Sequence, residues 1–277
     1  MIAQFAAMVL IYRWGFPASF QADIAEPWRV AMWVIILGIP LSLFEYLYHR
    51  YLLHSAVLPF LGAMHDAHST HHGLTAVKAP VTPKDPERMV TVDSDYPVEE
   101  EHQHDSMMFP MWSLPLFMIV FLGLLGAPFK ALLPTQPIIL ALLIAVTFYY
   151  CFYEVWHAIL HLPYERFWKP LIDGRWTRAT FKRMYSFHLM HHWRPTSNLA
   201  VVGFWGIALW DHVFRTHRRP ERLPVDGGSV NYHDAQLHKP IWPISAIDRH
   251  QPKLYKTSRA IEQWLGRVFL RRRRKEA

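Results

Sequence analysis

Two stretches of the chain, HSTHH (68–72) and HLMHH (188–192), share the spacing H-x-x-H-H. On an α-helix, positions i, i+3 and i+4 fall within about 100° of arc. Each stretch therefore presents three imidazoles on one face: His68, His71 and His72 in the first, His188, His191 and His192 in the second. Each is preceded by a two-histidine cluster, HRYLLH with His49 and His54, and HAILH with His157 and His161. The i, i+4 spacing of His157 and His161 is the usual geometry of a helix-borne metal pair. His49 and His54 fit an ideal helix less well, because five residues rotate through about 140°; they need a local unwinding or serve different metals. Ten imidazoles exceed the roughly four to six ligands that one first-row metal accepts, so the count points to two metals. A single buried histidine is ordinarily a hydrogen-bonded core residue, but a doubled H-x-x-H-H with a paired upstream cluster does not arise that way.

Three carboxylates are placed to orient such ligands: Glu45 one turn before His49, Glu154 three residues before His157, and Asp211 in WDHVF after the last cluster. Asp211 serves equally well as a helix cap or half of an ion pair. His102 and His104, among the carboxylates of EEEHQH, read as solvated loop residues. Imidazole-rich sites suit Fe, Zn, Cu or Ni, and spacing alone does not choose among them. A ferritin-like di-iron site needs two Glu-x-x-His helices, and only Glu154–His157 fits a helix, since the other match, Glu99–His102, lies in the loop after Pro97. A haem bundle would place paired histidines near mid-span, and a metal transporter would carry polar groups within its spans.

The elements that must hold these clusters are membrane helices. The chain has 277 residues, 52% hydrophobic and only 18% charged, with the apolar residues gathered in runs. Residues 111–127 and 137–156 are long enough to cross a bilayer and, joined by the short 128–136, make a helical hairpin. Residues 28–49 form a third span with Pro40 inside, and 2–20, broken by Arg13, Gly15 and Pro17, a weaker fourth that would complete a second hairpin. The N-terminus has no basic region or cleavage site of a secretory signal. The single cysteine, Cys151, excludes an intrachain disulfide or a CxxC zinc site and reads as a small buried hydrophobe. The net charge of +7 is concentrated after residue 164, which in a membrane protein marks the cytoplasmic face and not a nucleic-acid surface. Pro-rich 73–106 reads as an exposed loop, and 199–214, interrupted by Gly203 and Gly206, as an amphipathic stretch packed on the domain or the interface. Ile261, Trp264, Leu265, Val268 and Phe269 line one helix face before RRRRK (271–275), as in a helix lying on an anionic leaflet. The expected architecture is a single domain over 1–277. It is an all-α integral membrane protein of about four transmembrane helices in two hairpins, with a helical cytoplasmic cap carrying a histidine-rich dimetal site.

The order H-x4-H, H-x2-H-H, H-x3-H, H-x2-H-H resembles the membrane-bound fatty acid hydroxylase and sterol desaturase superfamily of histidine-rich di-iron oxygenases. The resemblance covers about 40–216, leaving a basic tail over about 217–277. It includes HRYLLH and the run from HHWRPTSNLAVV to LWDHVFRT, with Leu199 and Arg215 standing where an aromatic and a glycine are frequent. It implies two iron ions, replaceable by zinc on purification, held by His49, His54, His68, His71, His72, His157, His161, His188, His191 and His192. It also implies O2 as oxidant, and two electrons from NAD(P)H through a separate carrier such as a ferredoxin or cytochrome. The implied reaction is hydroxylation of an unactivated C–H bond in a lipid or fatty acyl chain. Sterol or lipid desaturation and carotenoid hydroxylation start from the same hydrogen abstraction. A basic face at Arg178, Lys182 and Arg183 would dock an acidic carrier. A non-catalytic zinc-binding membrane protein is the reading from another class.

Overall fold

The computed structural model describes residues 1–59, 61–78, 87–89, 91–94, 103, 106–225 and 227–276. His102 and His104 lie outside them, as does most of the Pro-rich segment. The described residues pack as two compact units, one of 1–44, 108–159 and 201–207, the other of 45–107, 160–200 and 208–277.

The first unit is helical and apolar. It holds α1 (Ile2–Gly15), α2 (Pro17–Ala25) and most of α3 (Pro27–Tyr48), which runs through Pro40. With them are α5 (Ser113–Phe121), continued through a π-helical turn at Leu122–Gly126 into α6 (Ala127–Leu132), and nearly all of α7 (Ile138–Leu160). Leu37, Leu41, Leu114, Met118 and Leu142 form its core. Large side chains such as Ile35, Ile119, Leu124 and Val155 stay exposed, which a lipid-facing surface tolerates and a water-facing one does not. Three helical stretches, Pro27–Leu53, Ser113–Leu132 and Ile138–Leu160, are long and apolar enough to cross a membrane. The expected fourth span is instead two helices of 14 and 9 residues meeting at Phe16. Neither has the roughly 20 residues a crossing needs.

The short N-terminal helices are fixed by a polar knot around Asp23, which is 2% exposed. Its carboxylate accepts from the Tyr12 hydroxyl at 2.8 Å, from Lys130 Nζ at 3.0 Å and from the Leu140 backbone N–H at 3.3 Å. The last contact sets the negative charge at the N-terminal turn of α7, where the helix dipole favours it. Residues 201–207 do not continue an amphipathic helix. Gly203 (φ 58), Trp205 (φ 50) and Gly206 (φ 92) turn the chain back on itself, and a Phe204–Ile207 bridge closes the turn. The Trp205 indole donates to Ile35 O and lies where a side chain at Gly38 would project.

The second unit carries α4 (Gly62–Leu74), α8 (Lys169–Asp173), α9 (Arg178–Trp193), α10 (Leu209–Val213) and α11 (Ile244–Glu276). It also has four short strands, so the protein is not purely α. Antiparallel pairs join β1 (Thr75–Lys78) to β3 (Thr91–Ser94) and β2 (Glu87–Met89) to β4 (Ser229–Asn231). Three of these strands fall in the segment read as a loop. Backbone pairing supplies there the order that its polar, Pro-rich side chains do not encode. Nor is 217–277 only a tail, because α11 packs by Ile244 and Ser258, both buried, and ion-pairs through Asp248. Its further stripe of Ile261, Trp264 and Val268 is exposed. The side chains of Phe269 and of 271–275 lie outside the described residues.

Asp23→Ala leaves the Lys130 ammonium without its carboxylate in a largely buried site and is expected to cost about 3 kcal/mol. Adding Lys130→Met is expected to recover most of that loss. Thermal unfolding in detergent of the two variants checks this, and equal losses in both would refute the knot's role.

Candidate metal centre

Nine of the ten histidines meet inside the second unit, in two groups. His49, His54, His68, His72 and His191 form the first, and His71, His161, His188 and His192 the second. Within each group the ligand nitrogens lie within 4.8 Å of one another. His157 joins neither: it lies on α7 in the first unit, buried, with its ring 5.2 Å from that of Tyr153. His65, three residues before His68 on the same helix, is also outside both groups, with its Nδ1 2.6 Å from Leu53 O.

The two H-x-x-H-H clusters do not each hold one metal site. α4 gives its i, i+4 pair, His68 and His72, to the first group and its middle residue, His71, to the second. α9 does the reverse, giving His188 and His192 to the second and His191 to the first. On a helix the i, i+4 pair is only about 40° apart, whereas the adjacent i+3 and i+4 positions diverge by about 100°. One cluster thus aims at two points, and two helices with the same spacing can cross-supply two sites. The groups adjoin where His72 stacks on His192 at 4.2 Å.

The awkward His49–His54 spacing is resolved by a π-helical turn over His49–Leu53. Widening the ring to i→i+5, with His54 N–H donating to His49 O at 3.2 Å, brings the two imidazoles into a stack 5.1 Å apart. Local unwinding thus brings His49 and His54 into the same group.

The nitrogens converge as metal ligands would. His68 Nε2 lies 3.2 Å from Nε2 of both His49 and His54, and His54 Nε2 lies 3.2 Å from that of His191. In the second group His188 Nε2 is 2.8 Å from His161 Nε2 and 3.2 Å from His192 Nε2. Nitrogens sharing a metal at about 2.0–2.1 Å, at octahedral to tetrahedral angles, are separated by roughly 2.9–3.4 Å. A hydrogen bond joins only two nitrogens through one proton, so it does not explain three rings meeting at one point. His72 adds a direct sign: both its ring nitrogens are buried with no hydrogen-bond partner among the described residues, a costly condition that a bound cation would relieve.

Backbone carbonyls fix the tautomers that aim Nε2 inward. His49 Nδ1 is 2.6 Å from Leu199 O and His191 Nδ1 2.9 Å from Ser197 O; a proton on Nδ1 leaves the Nε2 lone pair for a metal. Of the carboxylates, Asp211 acts one step further out than the sequence suggests. Asp211, fully buried, accepts from the backbone N–H of Leu199 and Ala200, each at 3.0 Å, and from Thr216 Oγ1 at 2.7 Å. It therefore holds the carbonyl that holds His49. Burial raises its pKa against those three bonds. Glu154 accepts from Phe109 N–H at 3.1 Å in the first unit.

Two residues within the quoted motifs, Asn198 and Arg50, position the site without being ligands. Asn198 takes a left-handed φ of 51°, and its amide bridges Phe187 O, Arg218 O and Arg218 N–H, fixing the 197–199 carbonyls. Asparagine tolerates that conformation, which was the available signal. Arg50, in the HRYLLH motif, grips Asp248 with two bonds of 3.0 and 2.7 Å and donates to Thr196 O at 2.7 Å. It thereby ties the π-turn to α11.

Burial, with repulsion between neighbouring imidazoles, lowers the pKa of His54, His72 and His191 well below the ordinary range. Burial likewise brings His192 to about 3. The unfolded chain binds protons on these rings near pH 6.5 while the folded chain resists, so stability falls as pH drops below about 6.5. The metal-stripped protein is expected to melt at a progressively lower temperature from pH 7 to pH 5. A Tm independent of pH over that window would contradict the burial of neutral rings.

Comparison of the chain with protein-family models, with curated proteins and with solved structures gives no match, so the reading of this centre stands on its own geometry and on the order of its motifs.

Proposed function

We propose that this chain is a membrane-bound di-iron oxygenase that hydroxylates an unactivated C–H bond of a lipid or fatty acyl chain. The observation that carries the reading is the pair of adjoining, largely buried all-imidazole groups in one unit of a protein with three helical stretches long and apolar enough to cross a membrane. Among the described residues neither group includes a cysteine or carboxylate, a donor set that suits iron as well as zinc. His49, His54, His68, His72 and His191 would hold one ion, and His71, His161, His188 and His192 the other. Iron bound there would supply oxygen activation for the balanced conversion of R–H, O2, two electrons and two protons into R–OH and water.

The protein's own residues account for the rest. The carbonyls of Leu199 and Ser197 hold two ligand rings in one tautomer, and Asp211 holds the first of those carbonyls. A cavity of about 240 Å³ reaches His161, His188 and His192. Much of its wall is hydrocarbon, from Leu160, Leu162, Pro163, Tyr164, Tyr185 and Leu189, a surface that receives an alkyl chain and excludes water. Electrons would arrive from an acidic carrier at the first turns of α9, where Arg178 and Arg183 are exposed. From Arg183 to the ligand His188 is about 8 Å along the same helix. The basic second half of the chain favours placing the histidine unit on the cytoplasmic side.

Iron-loaded protein in lipid nanodiscs, supplied with NADPH, ferredoxin reductase, ferredoxin and ¹⁸O2, is expected to yield a lipid carrying one ¹⁸O atom. Asp211→Asn is expected to lower the yield by roughly 10–100-fold and His188→Ala by more than that. Loss of two hydrogens without added oxygen would assign a desaturase. An iron-loaded protein that consumes no O2 would overturn the oxygenase reading in favour of a non-catalytic metal-binding protein.

A further inference from the structure

A second cavity in the histidine unit, about 540 Å³ in volume, has a different character. Its wall includes the metal-group residue His54 and three arginines, Arg50, Arg215 and Arg218. Asp248 is the one carboxylate among the lining residues, and it is already engaged by two bonds from Arg50 and one of 2.9 Å from the Tyr51 hydroxyl. Arg50 and Asp248 therefore cancel, leaving the cavity with the charges of Arg215 and Arg218. Arg218 is fixed in place, its guanidinium donating to the carbonyls of His233 and Asp234. The guanidinium of Arg215, an exposed residue, has no hydrogen-bond or ion-pair partner among the described residues, and its backbone is held in a left-handed conformation with φ 60. That conformation suits glycine and opposes a side chain, so folding preference alone does not account for an arginine there.

Two guanidiniums of which one is unpaired, no available carboxylate, and a volume within the range of small-molecule sites describe a receptor for an oxyanion. We infer that this cavity binds an anionic oxyacid group, a carboxylate or phosphate, through Arg215 and Arg218. Planar guanidinium forks match the paired oxygens of such groups. The group comes either from the head of an anionic lipid or from a soluble phosphate. The site does not depend on which metal the histidines hold.

The test uses the full chain in phosphatidylcholine nanodiscs. One arm titrates inorganic phosphate by calorimetry, and the other titrates lysophosphatidic acid. Arg215→Gly is the informative variant, because glycine adopts the local φ freely and the fold is retained or stabilised. Arg166→Ala, an exposed arginine outside the cavity, controls for net charge. The expected result is binding to wild type, about tenfold weaker binding to Arg215→Gly, recovery in Arg215→Lys and no change in the control. Metal content of all variants should equal that of wild type, which separates failure of this inference from failure of the metal centre. Tighter binding of the lipid than of phosphate assigns the site to a lipid head, and comparable binding assigns it to a free anion. No binding of either probe to wild type, or equal binding by Arg215→Gly, overturns the inference.

Discussion

Nine imidazoles packed with their lone pairs toward two points cannot be stabilised by one another. A neutral ring has one donor and one acceptor, and the Nδ1 donors of His49 and His191 are directed to backbone carbonyls. Several Nε2 atoms are then left facing each other at 2.8–3.2 Å. Protonation would relieve that arrangement in water, but burial opposes the charge. A cation at each point of convergence would satisfy these lone pairs, and the residues around the two groups are arranged to keep that convergence.

The surrounding structure is a set of devices that hold those rings against their mutual repulsion. The π-turn compresses a five-residue separation into a stacked pair, at the expense of regular helical hydrogen bonding. The 197–200 segment, pinned by Asn198 on one side and Asp211 on the other, supplies the two carbonyls that set ring orientation. Arg50 and Asp248 tie the π-turn to α11. None of these residues would touch a metal, yet each fixes an atom that fixes a ligand. Small displacements in such a chain degrade a metal site before they unfold it.

How much of this was legible in the sequence follows from the range of the interactions involved. Helical periodicity and hydrophobic run length are local, so the faces of α4 and α9 and the three long apolar helices follow from spacing and composition. The division of each H-x-x-H-H cluster between two sites depends on what stands opposite each helix, which spacing cannot carry. His157 has the same i, i+4 relation to His161 as His68 has to His72, but only His161 joins a group. The His49–His54 mismatch was visible as a conflict with helical geometry, and the conflict marked the π-turn. The strands between 75 and 94 and the docking of α11 rest on long-range pairing. So does the Asp23 knot, which links residues more than a hundred positions apart.

The central claim is that the histidines form two separate but cross-supplied metal sites, and metal counting on purified protein tests it most directly. Wild type from iron-replete cells is expected to hold two ions per chain. His68→Ala/His72→Ala should lose the first and keep the second, and His188→Ala/His192→Ala should do the opposite. Two ions in wild type and one in each double variant would establish the arrangement. A single ion per wild-type chain, or none in stoichiometric amount, would contradict it.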